Sequence, residues 1–242
     1  MGFEAQDIDL FLRIRVENAM SSASERSEGT IDGEGFTFYK TKRNESCALL
    51  GDCHFYYGDN TEQFKNRCGF SAVETFDING DPTHTLDLQK PIPEKFHGKY
   101  DWIVDAGTLY CCFDISTVLE NLMLMLTDSG TIFHMSNLVG HFGRGYYAFG
   151  PSFFNEFYKA NGFQSRRCFY RTKTSNNGWE QIPVDHNYLS SASRNKLTFQ
   201  DTSCVHKDMV PCESLIGYVA KRNCRKEFTK PIPEHYCKSN GK

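Results

Sequence analysis

Residues 100–107 read YDWIVDAG, a short apolar run that ends in an acidic residue followed by Ala and Gly. The length and composition of this run predict a buried β-strand over Tyr100–Asp105. Similar runs recur along the chain and alternate with segments long enough for helices. The predicted strands are 47–51, 72–76, 100–105, 131–135, 164–173 and 214–221, and the predicted helices are 6–20, 59–68, 115–126 and 151–161. Strands that alternate with helices predict an α/β fold with a doubly wound, mostly parallel sheet.

Acidic residues lie at or near the ends of the predicted strands. In a doubly wound sheet, ligands bind outside the carboxyl ends of the strands. The acids at this edge are Asp52, Asp77, Asp87 and Asp105. Asp77 comes 26 residues after Gly51, where such folds place a carboxylate that accepts hydrogen bonds from ribose hydroxyls. The alternative is that Asp77 only caps the turn formed by Asn79 and Gly80, because Asp is also common in turns.

The glycine patterns of two nucleotide-binding classes are missing. The chain has no GxxxxGKS or GxxxxGKT sequence, which argues against a P-loop nucleotidase. The turn after the first core strand reads GDCHFYYG at 51–58, and its bulky aromatic residues argue against a dinucleotide cofactor. The charge balance, 27 basic against 30 acidic residues, argues against general nucleic-acid binding.

Ten cysteines are spread along the chain without a CxxC pair. A zinc site usually shows two close pairs of ligands, so we predict no metal site. Residues 1–20 carry early acidic residues and no continuous apolar run, so they do not predict a secretory signal. No window reaches the roughly 18 apolar residues of a membrane span. We therefore expect a cytoplasmic protein with reduced thiols.

Composition divides the chain into two parts. Residues 1–35 predict a helix followed by a flexible linker rich in Gly and Ser. Residues 36–242 predict one α/β domain with a polar insertion at about 174–211. Inside an apolar predicted strand of this domain, His134 is expected to be a core histidine with satisfied hydrogen bonds.

A loop rich in glycine and aromatic residues, NLVGHFGRGYYAFGP, occupies 137–151 directly after a predicted strand. Loops with this content on a rigid sheet often carry substrate contacts. The alternative is a glycine-hinged loop whose aromatic side chains cover the edge of the sheet.

Six strings in the central part of the chain carry a resemblance to a known superfamily. They are LLGDCHFYYGDN (49–60), VETFDING (73–80), THTLDLQKPIP (83–93), KYDWIVDAGTLYCCFD (99–114), NLMLMLTDSGTIFHM (121–135) and GHFGRGYYAFGPSFFNEFYKANGF (140–163). On these strings, residues 46–172 resemble the class I S-adenosylmethionine-dependent methyltransferases, and within them a divergent methyltransferase-like branch with a reduced glycine motif. The resemblance implies a Rossmann-like methyltransferase fold and an enzyme that uses S-adenosylmethionine.

The resemblance also implies roles for the residues at the strand ends. Gly51 and Asp52 would approach the methionine part of the cofactor, Asp77 with Ile78 the ribose, Asp87 with Leu88 the adenine, and Asp105, Ala106 and Gly107 the methyl-donor side. An oxygen or nitrogen acceptor can also need a general base. The candidates for that base are His141 and Tyr146.

The chain departs from the superfamily in two places, and these departures leave alternatives open. The glycine-rich GxGxG is absent, and Tyr110 and Cys111 stand where the branch carries Glu-His. The leading hypothesis is methyl transfer to a small-molecule or glycan-like acceptor. One alternative is an inactive protein of the same fold that binds ligands or acts as a scaffold, and another is a nucleic-acid methyltransferase. A basic face for nucleic acid would come from Arg166, Arg167, Arg171 and Lys173.

Overall fold

The computed structural model describes residues 2–21, 29–31, 37–39, 44–139, 143–172, 178–182 and 214–233. The α-helices in these ranges are α1 (Ala5–Ser21), α2 (Thr61–Cys68), α3 (Ile115–Met125) and α4 (Pro151–Ala160), and short 3-10 helices span Glu94–Phe96 and Leu109–Cys111. The strands are β1 (Gly2–Phe3), β2 (Gly29–Ile31), β3 (Thr37–Tyr39), β4 (Ser46–Leu50), β5 (His54–Phe55), β6 (Ala72–Asp77), β7 (His84–Thr85), β8 (Tyr100–Asp105), β9 (Leu126–Val139), β10 (Phe163–Thr172), β11 (Glu180–Ile182) and β12 (Ser214–Arg222). None of the described helices is long and apolar enough to cross a membrane.

The central sheet of the described chain has eight strands in the order β11-β10-β12-β9-β8-β4-β6-β7. The strands β4, β6, β7, β8 and β9 pair with one another in parallel. The strand β12 lies antiparallel between β9 and β10. Taken in chain order, the five parallel strands are arranged 3-2-1-4-5, which is the order of a doubly wound sheet. The predicted α/β fold with a mostly parallel sheet is therefore confirmed.

Apolar side chains are buried on both faces of this sheet. On β8, Ile103 packs into the cluster that includes α3 and α4, whereas Val104 packs into the cluster that includes α1 and α2. Both side chains are fully buried. Burial on both faces explains why the strand is a continuous apolar run instead of an alternating one.

The N-terminal helix belongs to this core. Ile8, Phe11 and Ile14 follow helical spacing and are almost completely buried against the sheet. The ring of Phe11 packs edge-on against Trp102, with 5.5 Å between the ring centroids. Ahead of α1, the short strand β1 pairs in parallel with β5 in the loop that follows β4. Most of the predicted linker and most of the predicted insertion lie outside the described residues.

The largest difference from the predicted elements concerns β9. The predicted strand 131–135 is only the middle of β9, and the helix before it ends at Met125. The predicted break at Ser129 and Gly130 appears as an irregularity in the pairing of β9 with β8. Residues 127–130 have no partner in the registers with β8 or β12, so the turn-forming residues form a bulge within β9 between Leu126 and Thr131.

Candidate functional site

A cleft of about 230 Å³ opens at the carboxyl ends of β4, β6 and β8. These strands are parallel neighbours, so the residues that follow them meet at one edge of the sheet. The residues predicted from the sequence that line the cleft are Gly51, Asp52, Asp77, Ile78, Asp87, Leu88, Ala106 and Gly107. The other lining residues were not assigned to the site from the sequence: Leu50, Phe76, Leu86, Gln89, Thr108, Cys111 and Cys112.

Asp77 ends β6 and presents its carboxylate at the cleft. Its Oδ2 accepts a hydrogen bond from the backbone N–H of Asp52 at 2.6 Å. Its Oδ1 accepts from the N–H groups of Ile78 at 2.6 Å and Asn79 at 3.1 Å. A carboxylate has about four acceptor positions, so Asp77 caps its turn and keeps an acceptor position for a ligand.

Gly51 forms the floor of the cleft between β4 and the loop after β8. Its φ of +88° lies in the left-handed region, which glycine adopts without strain. A Cβ at this position would lie 2.8 Å from Oγ1 of Thr108 and 3.8 Å from Oδ2 of Asp77. The missing side chain therefore keeps open the space beside the Asp77 carboxylate.

The loop after β7 forms the opposite end of the cleft. Asp87 accepts a hydrogen bond from the backbone N–H of Gln89 at 3.0 Å. The Oε1 of Gln89 accepts from the N–H groups of Phe113 at 2.8 Å and Asp114 at 3.0 Å. Gln89 thus joins the loop after β7 to the start of α3. Leu88 is buried beneath the loop.

Asp105 differs from the other predicted acids, because its side chain is fully buried and does not line the cleft. Its Oδ1 accepts hydrogen bonds from the N–H groups of Gly107, Thr108 and Leu109 at 2.7–3.2 Å. Its Oδ2 lies 2.7 Å from Nδ1 of His134. The side chain of Asp105 therefore lies behind the wall of the cleft and holds the loop at 107–109, and its expected role on the methyl-donor side stays a prediction.

His134 continues this buried network. It is fully buried on β9, and its Nε2 lies 2.5 Å from the hydroxyl of Tyr158 on α4. Its ring also stacks on Phe154, with 4.9 Å between the centroids. The interpretation of His134 as a core histidine with satisfied hydrogen bonds is confirmed. The role of Tyr158 could not be predicted from the sequence, since nothing in its local pattern indicates a partner 24 residues away.

Two thiols line the cleft next to the loop held by Asp105. Burial raises the pKa of Cys112 to about 12, and nearby carboxylates add to this effect. Burial also raises the pKa of Cys111. Because the thiolate is the nucleophilic form, neither thiol is activated for nucleophilic catalysis. Among the described residues, no group of His, Cys, Asp and Glu side chains forms a metal site.

Tyr146 lies at the rim of the cleft. Its backbone N–H donates to the carbonyl of Tyr110 at 2.8 Å. Its ring packs edge-on against Phe113, with 5.5 Å between centroids and 89° between planes. Phe113 directly follows the cleft-lining Cys112, so this aromatic pair stands beside the opening. The other base candidate, His141, lies outside the described residues.

The strand order defines the structural class of the protein. With β12 antiparallel between β9 and β10, the mixed sheet is that of the class I methyltransferase fold. Sequence comparison matches the chain to no family model and to no curated protein.

Solved structures similar to this chain are methyltransferases with low sequence identity. One is an S-adenosylmethionine-dependent methyltransferase from Archaeoglobus fulgidus, with 12% identity, coverage of 76% of this chain and 88% of that chain, and a TM-score of 0.49. Another is an N-methyltransferase from Bradyrhizobium japonicum in complex with S-adenosylhomocysteine, with 11% identity, coverage of 91% and 89%, and a TM-score of 0.48. A third, with bound 1,6-didemethyltoxoflavin and S-adenosylhomocysteine, is the 1,6-didemethyltoxoflavin-N1-methyltransferase from Burkholderia thailandensis, with 14% identity, coverage of 75% and 72%, and a TM-score of 0.43.

Proposed function

We propose that the cleft binds S-adenosylmethionine and that the protein transfers the methyl group of this cofactor to a small-molecule or glycan-like acceptor. The observation that carries the proposal is the carboxylate of Asp77, which lines the cleft at the end of β6 with an acceptor position left over. In doubly wound folds this is the position from which an acid binds a ribose. The carboxylates of Asp52 and Asp87 lie in the same cleft, and they favour a ligand with positive charge, such as a sulfonium or an amino group.

The proposal gives each group of lining residues a part of the cofactor to contact. In the proposal, Gly51 and Asp52 contact the methionine part, Asp77 and Ile78 the ribose, Asp87 and Leu88 the adenine, and Ala106 and Gly107 the methyl-donor side. Asp105 is buried behind the wall of the cleft and acts as a positioning residue, since it fixes the backbone of the loop at 107–109.

For methyl transfer, the protein mainly has to position the cofactor and the acceptor. When bound, the cofactor supplies an electrophilic methyl group on its sulfonium. The chain holds the reacting groups in line and excludes water from them. Tyr146 and His141 remain the candidates for a base that takes a proton from the acceptor.

Calorimetric titration with S-adenosylhomocysteine tests the proposal. We expect a micromolar Kd, about −8 kcal/mol. Asp77→Ala should weaken binding roughly 100-fold, because it removes hydrogen bonds from a charged acceptor to the ribose. Asp81→Ala is the matched control, since Asp81 is an exposed aspartate in the same turn that does not line the cleft. Absence of binding by the folded wild-type protein, or equal weakening by both substitutions, would contradict the proposal.

An inactive ligand-binding protein is the second candidate function. Tyr110 and Cys111 stand where the related branch carries Glu-His. Tyr110 is buried, and burial raises the pKa of both residues, so neither provides an ionised group at neutral pH. Binding of S-adenosylhomocysteine without any turnover of S-adenosylmethionine in the presence of acceptors would favour this candidate.

The nucleic-acid alternative loses support from the placement of its basic residues. Arg171 is buried and pairs with Glu4 and Asp7. Arg167 pairs with Glu17, and Arg166 donates to the side chain of Asn155. These arginines make contacts within the protein instead of forming a free basic face. Lys173 lies outside the described residues.

A further inference from the structure

Three exposed apolar side chains, Ile78, Phe113 and Tyr146, lie in or beside the cleft. The large hydrophobic side chains exposed in the described chain are Tyr56, Ile78, Phe113, Tyr146 and Ile232. Ile78 lines the cleft, Tyr56 lies in the loop after β4, and Phe113 contacts Tyr146 at the rim. Ile232 lies in the segment after β12. Apolar surface gathered beside a concave site is typical of ligand binding.

Phe113 and Tyr146, which we call the rim pair, have fixed backbones and exposed rings. The N–H of Phe113 donates to Gln89 and its carbonyl accepts from the hydroxyl of Tyr147 at 2.9 Å. The N–H of Tyr146 donates to Tyr110. As whole residues, Phe113 and Tyr146 remain 69% and 66% exposed. The edge-to-face contact leaves ring surface free, so the rim pair offers a preorganised apolar platform beside the cleft.

Arg144 supplies a positive charge at the same rim. It is exposed, and within the described ranges no hydrogen bond or ion pair joins it to another residue. Its neighbour Gly145 has a φ of +69°, and a Cβ there would lie 2.2 Å from Cδ2 of Tyr110. The glycine therefore lets the segment lie directly on Tyr110, next to the cleft-lining Cys111. Burial raises the pKa of Cys111, and the charge of Arg144 acts against that shift.

We infer that the acceptor is a small anionic ring compound, whose ring packs on Phe113 and Tyr146 and whose acidic group pairs with Arg144. This inference rests on the proposed function, because it names the class of acceptor for the same cleft. A guanidinium binds carboxylate or phosphate through two parallel hydrogen bonds. The carboxylates of Asp52, Asp77 and Asp87 repel such a group from the strand ends, so its negative charge belongs at the Arg144 end of the rim.

Two kinds of compound share this chemistry. An aromatic acid would stack its ring on the rim pair and place its carboxylate against Arg144. A sugar phosphate would pack the less polar face of its ring on the same platform and place its phosphate there. The probes for these two sources are 4-hydroxybenzoate and glucose 6-phosphate, titrated into the protein saturated with S-adenosylhomocysteine.

Neutral and non-aromatic analogues serve as matched probes. We expect 4-hydroxybenzoate or glucose 6-phosphate to bind at millimolar concentration or below. Methyl 4-hydroxybenzoate and glucose, which lack the charge, should bind at least about 10-fold more weakly. The compound 4-hydroxycyclohexanecarboxylate keeps the charge without the flat ring, so it separates stacking from ion pairing.

Substitutions at the rim complete the test. Arg144→Gln should abolish the preference for the charged probe, and Arg144→Lys should retain part of it. Phe113→Ala and Tyr146→Ala should each weaken binding by about 5–10-fold, whereas Ile232→Ala, at an exposed apolar residue in the segment after β12, should not change it. All these side chains are exposed, and circular dichroism checks that each variant is folded.

The outcomes separate this inference from the proposed function. If S-adenosylhomocysteine binds but both anionic probes fail at 10 mM (about the limit of weak binding), the acceptor class is wrong and the cofactor cleft stands. Binding of a probe that none of the three rim substitutions weakens also overturns the inference. If S-adenosylhomocysteine itself fails to bind the folded protein, the proposed function is wrong, and the acceptor class falls with it.

Discussion

The ends of β6 and β8 place the same residue type in two different settings. Asp77 and Asp105 each close a parallel strand beside β4, and each accepts hydrogen bonds from three backbone N–H groups. Asp105 also bonds to His134, which in turn contacts Tyr158, and all three side chains are buried. Asp77 has no such partner on the cleft side among the described residues. An acid at a strand end thus becomes available to a ligand only where the protein leaves one of its acceptor positions without a partner.

The largest expected effect is a loss of folding stability when the carboxylates of Asp105 and Asp77 are removed one at a time. Asp105→Ala should lower the free energy of unfolding by about 3–5 kcal/mol, since it leaves several buried donors without an acceptor. Asp77→Ala should cost about 1 kcal/mol, because water in the cleft can replace the lost acceptor. Urea unfolding followed by circular dichroism measures both losses. Equal losses would mean that the two carboxylates play the same structural role.

A smaller effect is expected at the floor of the cleft. Gly51 and Gly58 both have positive φ, +88° and +97°, but a Cβ at Gly58 would meet nothing within 4 Å. Substitution by Ala should therefore cost each variant a similar backbone penalty of about 1–2 kcal/mol in stability. Only Gly51→Ala should also weaken S-adenosylhomocysteine binding, by roughly 10-fold, because its methyl group displaces Thr108 beside Asp77. Calorimetry on the two variants decides whether the cofactor occupies the Asp77 side of the cleft; equal affinities would place it elsewhere.

The smallest effect concerns Glu74, which precedes Asp77 by three residues on β6. Burial opposes its charged form, but hydrogen bonds from Lys99, Tyr100 and His84 outweigh burial and lower the pKa of Glu74 to about 2 from its ordinary value of 4.5. A lowered pKa in the folded state means that the ionised group stabilises the protein above pH 4.5 and that this contribution is lost as the pH falls from 4.5 towards 2. The side chain is partly exposed, so we expect an effect of about 1 kcal/mol or less.

Comparison of wild type with Glu74→Gln tests this expectation. The difference in unfolding free energy between the two proteins should be larger at about pH 6 than at about pH 3. Cofactor affinity at pH 7 should stay the same, since Glu74 does not line the cleft. A difference in stability that is independent of pH would show that the ion pairs of Glu74 do not contribute.

The sequence predicted the sheet well, for reasons visible in its residues. Strands such as β8 are buried on both faces, so their apolar runs stand out and their ends are marked by acids and glycine. The acids at 52, 77 and 87 were predicted to converge because the carboxyl ends of parallel strands share one edge, and the cleft contains all three. The same reasoning could not foresee the full length of β9, because the turn-forming residues at 128–130 form an unpaired bulge and the strand continues on both sides of it.

The distinction between Asp77 and Asp105 was not visible in the sequence. Both residues end an apolar run and both precede a turn, so the local pattern assigns them the same role. Their roles differ because β9 lies next to β8 and brings His134 to Asp105, whereas β6 has only the short β7 on its outer side. The contact within the rim pair could not be predicted from the sequence either. Its two residues are 33 positions apart and meet only through the loops that join β8 to α3 and β9 to α4.

The sequence by itself determined the class of fold and the edge of the sheet at which a ligand would bind, because hydrophobic pattern and strand-end chemistry are local properties. The tertiary structure decided which acid faces the cleft, which one is enclosed by protein, and which aromatic side chains remain exposed beside the opening. Those properties depend on partners distant in the chain, and burial and hydrogen bonding are fixed only when the strands have taken their order in the sheet.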